Sequence, residues 1–297
     1  MERVEFGQGL TLSRLVYGMW RLGNDNDRSP ARVRAKIDAC LAQGITSFDQ
    51  ADIYGDYESE FLLGEALRAS PGLRDEIEIV TKCGIMLKSG KYPDRRVKHY
   101  DTSARHIQTA VENSLKKMAI EQIDLLLIHR PDPFMDAEET GGVLDDLVAF
   151  GKVRTVGVSN FRPHDFTLLQ SSMKTPLVTN QIEMSLAAPE PLTNGDLSFL
   201  QERRIPPMAW SPLGGGALFA GAQPRLLETL ARVAAAQGVE AAAVAVAWLL
   251  AHPARLLPVM GTTDLARIGR LAEALKVRLD RETWFELYEA AIGHEVP

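Results

Sequence analysis

The stretch Ile123-Asp-Leu-Leu-Leu-Ile-His-Arg-Pro-Asp-Pro133 decides the fold. A nearly unbroken apolar run of this length is what a strand covered on both faces looks like, and it stops at a histidine and a proline-punctuated turn. Similar runs recur at 15–19, 45–48, 77–81, 154–158, 177–179, 207–210 and 257–260. Helical periodicity fills the intervals at 31–43, 59–68, 103–118, 136–150, 163–171, 192–204, 225–237 and 264–274. An alanine-rich helix is expected over 239–251 and a C-terminal one over 281–291. Ser103 reads as an N-cap, Pro163 suits a first helical turn, and Gly44 and Gly151 read as stops. Strands alternating with helices make repeated βαβ units and hence a parallel sheet. An open doubly wound sheet would satisfy that pattern. Eight strands in 297 residues fit a closed (β/α)8 TIM barrel better, as one domain spanning 1–297. The segment 4–12, with its Gly-Gln-Gly turn, reads as a hairpin capping the barrel floor.

Composition narrows the function classes. The chain is 45% apolar, 24% charged and 7% aromatic, with formal net charge −6. Such a chain can bury a large core unaided. A pI near 5.6 argues against broad nucleic-acid binding. No secretory leader is legible, and the most apolar stretch, 239–251, is too short to span a bilayer, so no membrane partner is expected. Two cysteines, Cys40 and Cys83, make neither a disulfide framework nor a zinc site and fit a reducing, cytoplasmic setting. Monomer is the default expectation.

In parallel barrels the reactive groups sit where strands end. Reading the residue after each run gives Asp49 with Tyr54 in the following loop, then Lys82 and His129. Ser159 and Asn160 follow, then Asn180 and Gln181, then Trp210 and Ser211. Taken singly, Asp49 and Lys82 read equally as a structural ion pair, His129 as a core histidine, and Trp210 as core filling. Together they form a chemical set. A tyrosine titrates near 10 and is a poor acid at pH 7. A neighbouring ammonium, Lys82, favours phenolate and lowers that value, while Asp49 keeps the lysine charged and His129 positions a carbonyl oxygen. That is a general acid for a carbonyl receiving a hydride.

At these positions the chain resembles the aldo-keto reductase superfamily. The matching segments are Phe48-Asp-Gln-Ala-Asp-Ile-Tyr-Gly55, Val80-Thr-Lys82, Leu127-Ile-His129, Gly157-Val-Ser-Asn-Phe161, Asn180-Gln-Ile-Glu183 and Trp210-Ser-Pro-Leu-Gly214, in family order across nearly the whole chain. The likeness is to the bacterial subgroup with His-Arg-Pro-Asp-Pro and Trp-Ser-Pro-Leu-Gly-Gly-Gly motifs. It implies an NADPH-dependent reductase of aldehydes or ketones whose catalytic tetrad falls on Asp49, Tyr54, Lys82 and His129. It also implies that Ser159, Asn160 and Gln181 hold the nicotinamide carboxamide and that Trp210 stacks on the ring. The pyrophosphate is expected along Ser211, Pro212, Leu213 and Gly214, where glycine permits close backbone approach. Gly18 and Met19 are expected near the nicotinamide, with Trp20, Tyr54 and His129 lining the carbonyl pocket. A Gly-x-Gly-x-x-Gly fingerprint is absent, as such a barrel requires.

The resemblance places the adenosine 2′-phosphate at Gly261, Thr262, Thr263 and Arg267, with the N-terminus of the 264–274 helix facing the anion. Two departures weaken the preference for NADPH and leave NADH as a possible coenzyme. No Lys or Arg occurs from 261 to 265, and Asp264 adds a negative charge. Arg270 and Leu271 stand where relatives often carry Glu and Asn.

Other readings compete. The loop 83–102 carries Lys88, Lys91, Arg95, Arg96, Lys98 and His99, and either steers an anionic substrate or is a solvated surface loop. Cys83 beside Lys82 reads as an inert buried thiol rather than a redox centre. A Schiff-base aldolase would use Lys82 as nucleophile and need it neutral, which Asp49 opposes. A metal-dependent hydrolase lacks a His-x-His pair, and no metal is expected. A coenzyme-binding redox-sensing subunit with little turnover would keep the same residues.

Overall fold

The computed structural model describes residues 1–221 and 224–297. Its centre is a closed barrel of eight parallel strands. These are β1 (Val16–Gly18), β2 (Ser47–Asp49), β3 (Glu78–Cys83), β4 (Ile123–Ile128), β5 (Val153–Ser159), β6 (Leu177–Glu183), β7 (Met208–Trp210) and β8 (Leu257–Met260). Each pairs with its successor, and β8 returns to β1 with Val259 opposite Val16 and Met260 opposite Tyr17. The longer helices are α1 (Pro30–Leu41), α2 (Ser59–Arg68), α3 (Ala104–Met118), α4 (Ala137–Ala149), α5 (Pro163–Ser171), α6 (Asp196–Glu202), α7 (Pro224–Gln237), α8 (Ala241–Leu250) and α9 (Arg281–Ile292). Ser29, Ser103 and Asp136 cap α1, α3 and α4 by accepting from backbone N–H groups of the first turns.

The run through β4 shows why its sequence is apolar throughout. Leu125 and Leu127 pack inside the barrel with Val16, Val80, Met208 and Leu257. Leu126 and Ile128 face the helical layer with Ile107, Val111 and Val143. Both faces are therefore buried, and period-two alternation disappears. The N-terminal hairpin pairs Arg3–Glu5 with Thr11–Ser13, and its Val4, Phe6, Leu10 and Leu12 plug the barrel interior from the end opposite the strand termini. Leu10 and Leu12 are wholly buried, which contributes about 1.5–3 kcal/mol each.

Element boundaries differ from the sequence reading in instructive places. The expected strand 177–179 continues to Glu183, because Asn180 and Gln181 find polar partners beside them and so remain in the sheet. The expected helix 264–274 is broken into Leu265–Ile268 and a 3-10 turn, Leu271–Leu275, around Gly269. Within 83–102, Ile85–Met86 and His99–Tyr100 pair as a small hairpin. No single helix among the described residues is long and apolar enough to cross a bilayer.

Candidate active site

The strand ends deliver their polar groups to one mouth. Lys82 Nζ, at the end of β3, donates to both carboxylate oxygens of Asp49 on β2 at 2.7 Å each and to the carbonyl of Gln50 at 2.8 Å. The Tyr54 hydroxyl lies 3.3 Å from the same nitrogen, so the three N–H groups of Lys82 are shared among four acceptors. From β6, Gln181 Nε2 donates to Asp49 Oδ1 at 2.8 Å. Asp49 and Lys82 are 2% and 1% exposed, so this pair lies in low dielectric, where Coulomb attraction is strong and exchange with water is excluded. Burial pushes the Lys82 ammonium down, but Asp49 and Tyr54 together, by charge and by hydrogen bonding, more than offset it, and the net direction is up. Lys82 is thus a fixed ammonium, the opposite of what a Schiff-base nucleophile needs.

Tyr54 differs from the sequence expectation. Burial raises its hydroxyl, and Lys82 pulls it back only in part, so the net direction is upward rather than downward. The phenol is therefore protonated at neutral pH. His129, on the residue after β4, stands edge-on to Tyr54 with ring centroids 5.9 Å apart. Burial, then the charges of Lys82 and Arg130, hold its imidazole well below the usual histidine range. It is neutral at pH 7, and its Nδ1 is buried without a hydrogen-bond partner among the described residues.

A second polar chain borders this cluster. Ser159 donates to the Gln181 carbonyl at 2.9 Å, Asn160 Nδ2 donates to Ser159 Oγ at 2.7 Å, and Trp210 Nε1 donates to Asn160 Oδ1 at 2.9 Å. Asn160 adopts φ +59°, a left-handed conformation that asparagine tolerates better than most residues. One amide hydrogen of Asn160 and the amide oxygen of Gln181 carry no protein hydrogen bond among the described residues. Asn180 serves the scaffold instead, donating to the Phe161 carbonyl at 2.6 Å.

Asp49, Tyr54, His129, Ser159, Asn160 and Gln181 line a cleft of about 1440 Å³ that runs from Ile85 and Leu87 past Trp210 to Arg267. Of the residues expected around a coenzyme, Gly18, Ser159, Asn160, Gln181 and Trp210 border it near the cluster. Ser211, Pro212, Leu213, Gly261, Thr262, Thr263 and Arg267 border it farther along. Trp20 is 59% exposed at the mouth. Two expectations are corrected. The Met19 side chain is 1% exposed in the layer between barrel and helices, where its sulfur accepts from Gln50 Nε2, so it does not line the cleft. Gly214 packs toward Ala187, and Gly215 and Gly216 line the cleft in its place. Both adopt positive φ, and a Cβ on either would meet nothing within 4 Å, leaving open backbone beside the cleft.

The far end is already occupied by internal pairs. Asp264 accepts from the Arg267 backbone N–H at 3.0 Å, so the N-terminus expected to face an anion is capped by a carboxylate and heads a helix of only four residues. Arg270 is paired with Glu240 at 2.6 Å. Cys83 is buried, and burial pushes its thiol well up, as an inert thiol requires.

Sequence reading missed Arg21 and Arg130 and left Lys98 among the charges of the 83–102 loop. Arg21 donates to the carbonyls of Gly261 and Gly215 at 3.2 and 3.1 Å and so ties the loops after β8 and β7 across the cleft. Arg130 lies 5.5 Å from the Trp210 ring, and Lys98 reaches the same mouth. Position was the one available signal for Arg21 and Arg130, since Arg21 follows Trp20 and Arg130 follows His129.

A barrel with a buried Asp–Lys pair, a protonated tyrosine and a neutral histidine at one mouth defines a carbonyl-handling oxidoreductase. The family model described as "Aldo/keto reductase family" matches residues 14–292, and the chain belongs to that family. It is 63% identical over 296 residues to a 6-dehydroglucose reductase of Agrobacterium fabrum, covering 100% of both chains. It is 40% identical over 298 residues to a 6-dehydroglucose reductase of Novosphingobium aromaticivorans, covering 97% of this chain and 95% of the relative. Among solved structures it is similar to an aldo/keto reductase from Klebsiella pneumoniae in complex with NADP and acetate, with TM-score 0.77, 26% identity, and coverage of 99% of this chain and 96% of that one.

Proposed function

We propose that the protein reduces the carbonyl of a sugar aldehyde, 6-dehydroglucose or a near relative, with NADPH as the preferred coenzyme and Tyr54 as the proton donor. The observation that carries this reading is the Tyr54 hydroxyl 3.3 Å from a lysine that both oxygens of Asp49 hold as ammonium. The cleft fits a dinucleotide by size and by its donor set. Ser159, Asn160 and Gln181 offer amide and hydroxyl groups to a carboxamide, Trp210 offers a ring face, and the open backbone at Gly215 and Gly216 suits a pyrophosphate. Thr262, Thr263 and Arg267 suit a 2′-phosphate, and the Klebsiella relative binds NADP. Bound there, the dihydronicotinamide supplies a hydride to the carbonyl carbon.

The chain's own residues do the rest. Neutral His129 and the Tyr54 hydroxyl converge on the carbonyl oxygen, and Tyr54 gives it a proton as the carbon gains its hydrogen. Lys82 beside the phenol stabilises the phenolate that this transfer leaves, until solvent returns the proton. Trp20, Arg130 and Lys98 at the mouth present a ring face and hydrogen-bond donors, a combination that suits a hydroxylated substrate. The purified protein incubated with NADPH and 6-dehydroglucose should consume both and yield glucose, identified by NMR. Absence of coenzyme oxidation with this and a panel of other sugar aldehydes would contradict the reading.

A further inference from the structure

The residues that follow Tyr54 adopt an uncommon backbone. Gly55, Asp56 and Tyr57 have φ of +58°, +52° and +68°, three consecutive left-handed residues of which only the first is glycine. L-residues avoid this region, and such a run persists only where its surroundings over-determine it. The surroundings are specific. The Tyr57 hydroxyl accepts from Arg95 at 2.6 Å and from the Leu87 backbone N–H at 3.0 Å. Arg95 lies over the Tyr92 ring at 3.7 Å, and Tyr92 meets Tyr57 edge-on at 4.8 Å. Lys117 of α3 donates to the Tyr57 carbonyl at 3.2 Å. Lys117 reaches it because α2 and α3 cross closely at Gly64, where a Cβ would lie 1.9 Å from the Lys117 carbonyl oxygen. On the other side Gly55 abuts Gly23, so that a Cβ on Gly23 would fall 2.7 Å from Gly55 Cα.

We infer that Arg95, Tyr57 and Lys117 form a brace that fixes the strained turn after Tyr54 and thereby positions its hydroxyl. The loop 83–102 serves as a support for the acid, with Arg95 committed to Tyr57 and Tyr92 rather than available to a passing anion. Because Leu87 lines the cleft and its N–H is held by Tyr57, one tyrosine links the substrate wall to the proton donor. Tyr57 and Arg95 are positioning residues, and the inference rests on Tyr54 being the acid.

The test compares Tyr57→Phe, Arg95→Leu, Arg95→Lys and Arg96→Leu with the parent and with Tyr54→Phe. Arg96 is an exposed neighbour on the same loop. The probes are 6-dehydroglucose, which is neutral, and succinic semialdehyde, which is anionic. Single-turnover oxidation of NADPH is followed with ordinary coenzyme and with coenzyme deuterated at the transferred position. Misplacing a reacting group by about 1 Å costs up to ~100-fold, so Tyr57→Phe and Arg95→Leu should slow the single turnover about tenfold or more with both aldehydes. The deuterium effect on kcat should rise, coenzyme Kd should not move, Arg95→Lys should recover part of the rate, and Arg96→Leu should match the parent. Equal KM increases for succinic semialdehyde alone in the Arg95 and Arg96 variants would overturn the brace in favour of charge steering. So would an unchanged rate in Tyr57→Phe, which removes a single oxygen and carries the test if Arg95→Leu fails to fold. A loss of active fraction with an unchanged isotope effect would reduce the cluster to a stability role. Full activity in Tyr54→Phe would instead overturn the proton-donor reading itself.

Discussion

The two ends of the cleft are held together differently. Around Tyr54, Lys82 and Asp49, each polar atom is fixed by side chains on neighbouring strand ends, in burial deep enough to exclude competing water. Around Thr262, Asp264 and Arg267, the groups sit at the surface on a loop and a four-residue helix, and the nearby charges of Asp264 and Arg270 are spent on a helix cap and on Glu240. Strand ends confer geometry, since the barrel fixes them to one another through its closed hydrogen-bond ladder. Loops confer adaptability, with each contact screened by solvent. Under the proposed function, chemistry falls at the first kind of place and coenzyme choice at the second.

The largest expected contrast follows from breaking the buried pair. Lys82→Met leaves the Asp49 carboxylate enclosed without its cation, and loss of one member of such a pair typically costs about 3–5 kcal/mol. Urea unfolding should show that loss together with abolished turnover. An equivalent change at the far end, where pairs are exposed, should move stability by under ~1 kcal/mol. A variant of Lys82 that unfolds like the parent would show that the strand-end network is not what holds the mouth.

An intermediate effect concerns His129. Its native pocket disfavours the charged imidazole, whereas the unfolded chain takes up a proton near the ordinary value of about 6.5. The unfolded state then binds more protons below that pH, so stability rises with pH through this range and falls on acidification, by up to ~1.4 kcal/mol per pH unit for one group. Unfolding free energies measured from pH 7 to pH 5 for the parent and His129→Gln should diverge with that sign, the variant having the flatter slope. Parallel curves would mean that His129 is not held neutral.

The smallest effect is expected at the end of the cleft proposed to hold the coenzyme's 2′-phosphate. Arg267 makes no ion pair among the described residues and faces the cleft. Arg267→Ala should weaken NADPH binding about fivefold, the scale of one exposed charge pair, and leave NADH nearly unchanged. Tryptophan quenching titrations at low and high salt read both, and the difference should shrink as salt rises. Equal losses for the two coenzymes would remove Arg267 from 2′-phosphate recognition.

The same contrast explains what was legible in the sequence. Asp49, Lys82 and His129 sit where an apolar run stops, so hydropathy alone marks them, and the closed barrel follows from the alternation of eight runs with helices. Legibility failed where polar residues are satisfied inside the fold. Asn180 and Gln181 look like the end of a strand yet continue it, because the Phe161 carbonyl and Asp49 accept their hydrogen bonds. Met19, apolar beside Gly18, reads as a coenzyme neighbour but fills the layer outside the barrel just past the end of β1, where its sulfur accepts from Gln50. Arg95 read as a free charge, and no sequence pattern announces that its partner is the hydroxyl of Tyr57, 38 residues earlier. The break at Gly269 and the cap by Asp264 likewise depend on contacts rather than on periodicity.

The most direct test of the central claim is a single turnover of NADPH-loaded protein mixed with 6-dehydroglucose, comparing the parent with Tyr54→Phe. The variant should bind NADPH with parental affinity and oxidise it slower by a factor of about 10²–10⁴, the scale of a lost general acid. Oxidation at the parental rate in a variant without the phenol hydroxyl would contradict that claim.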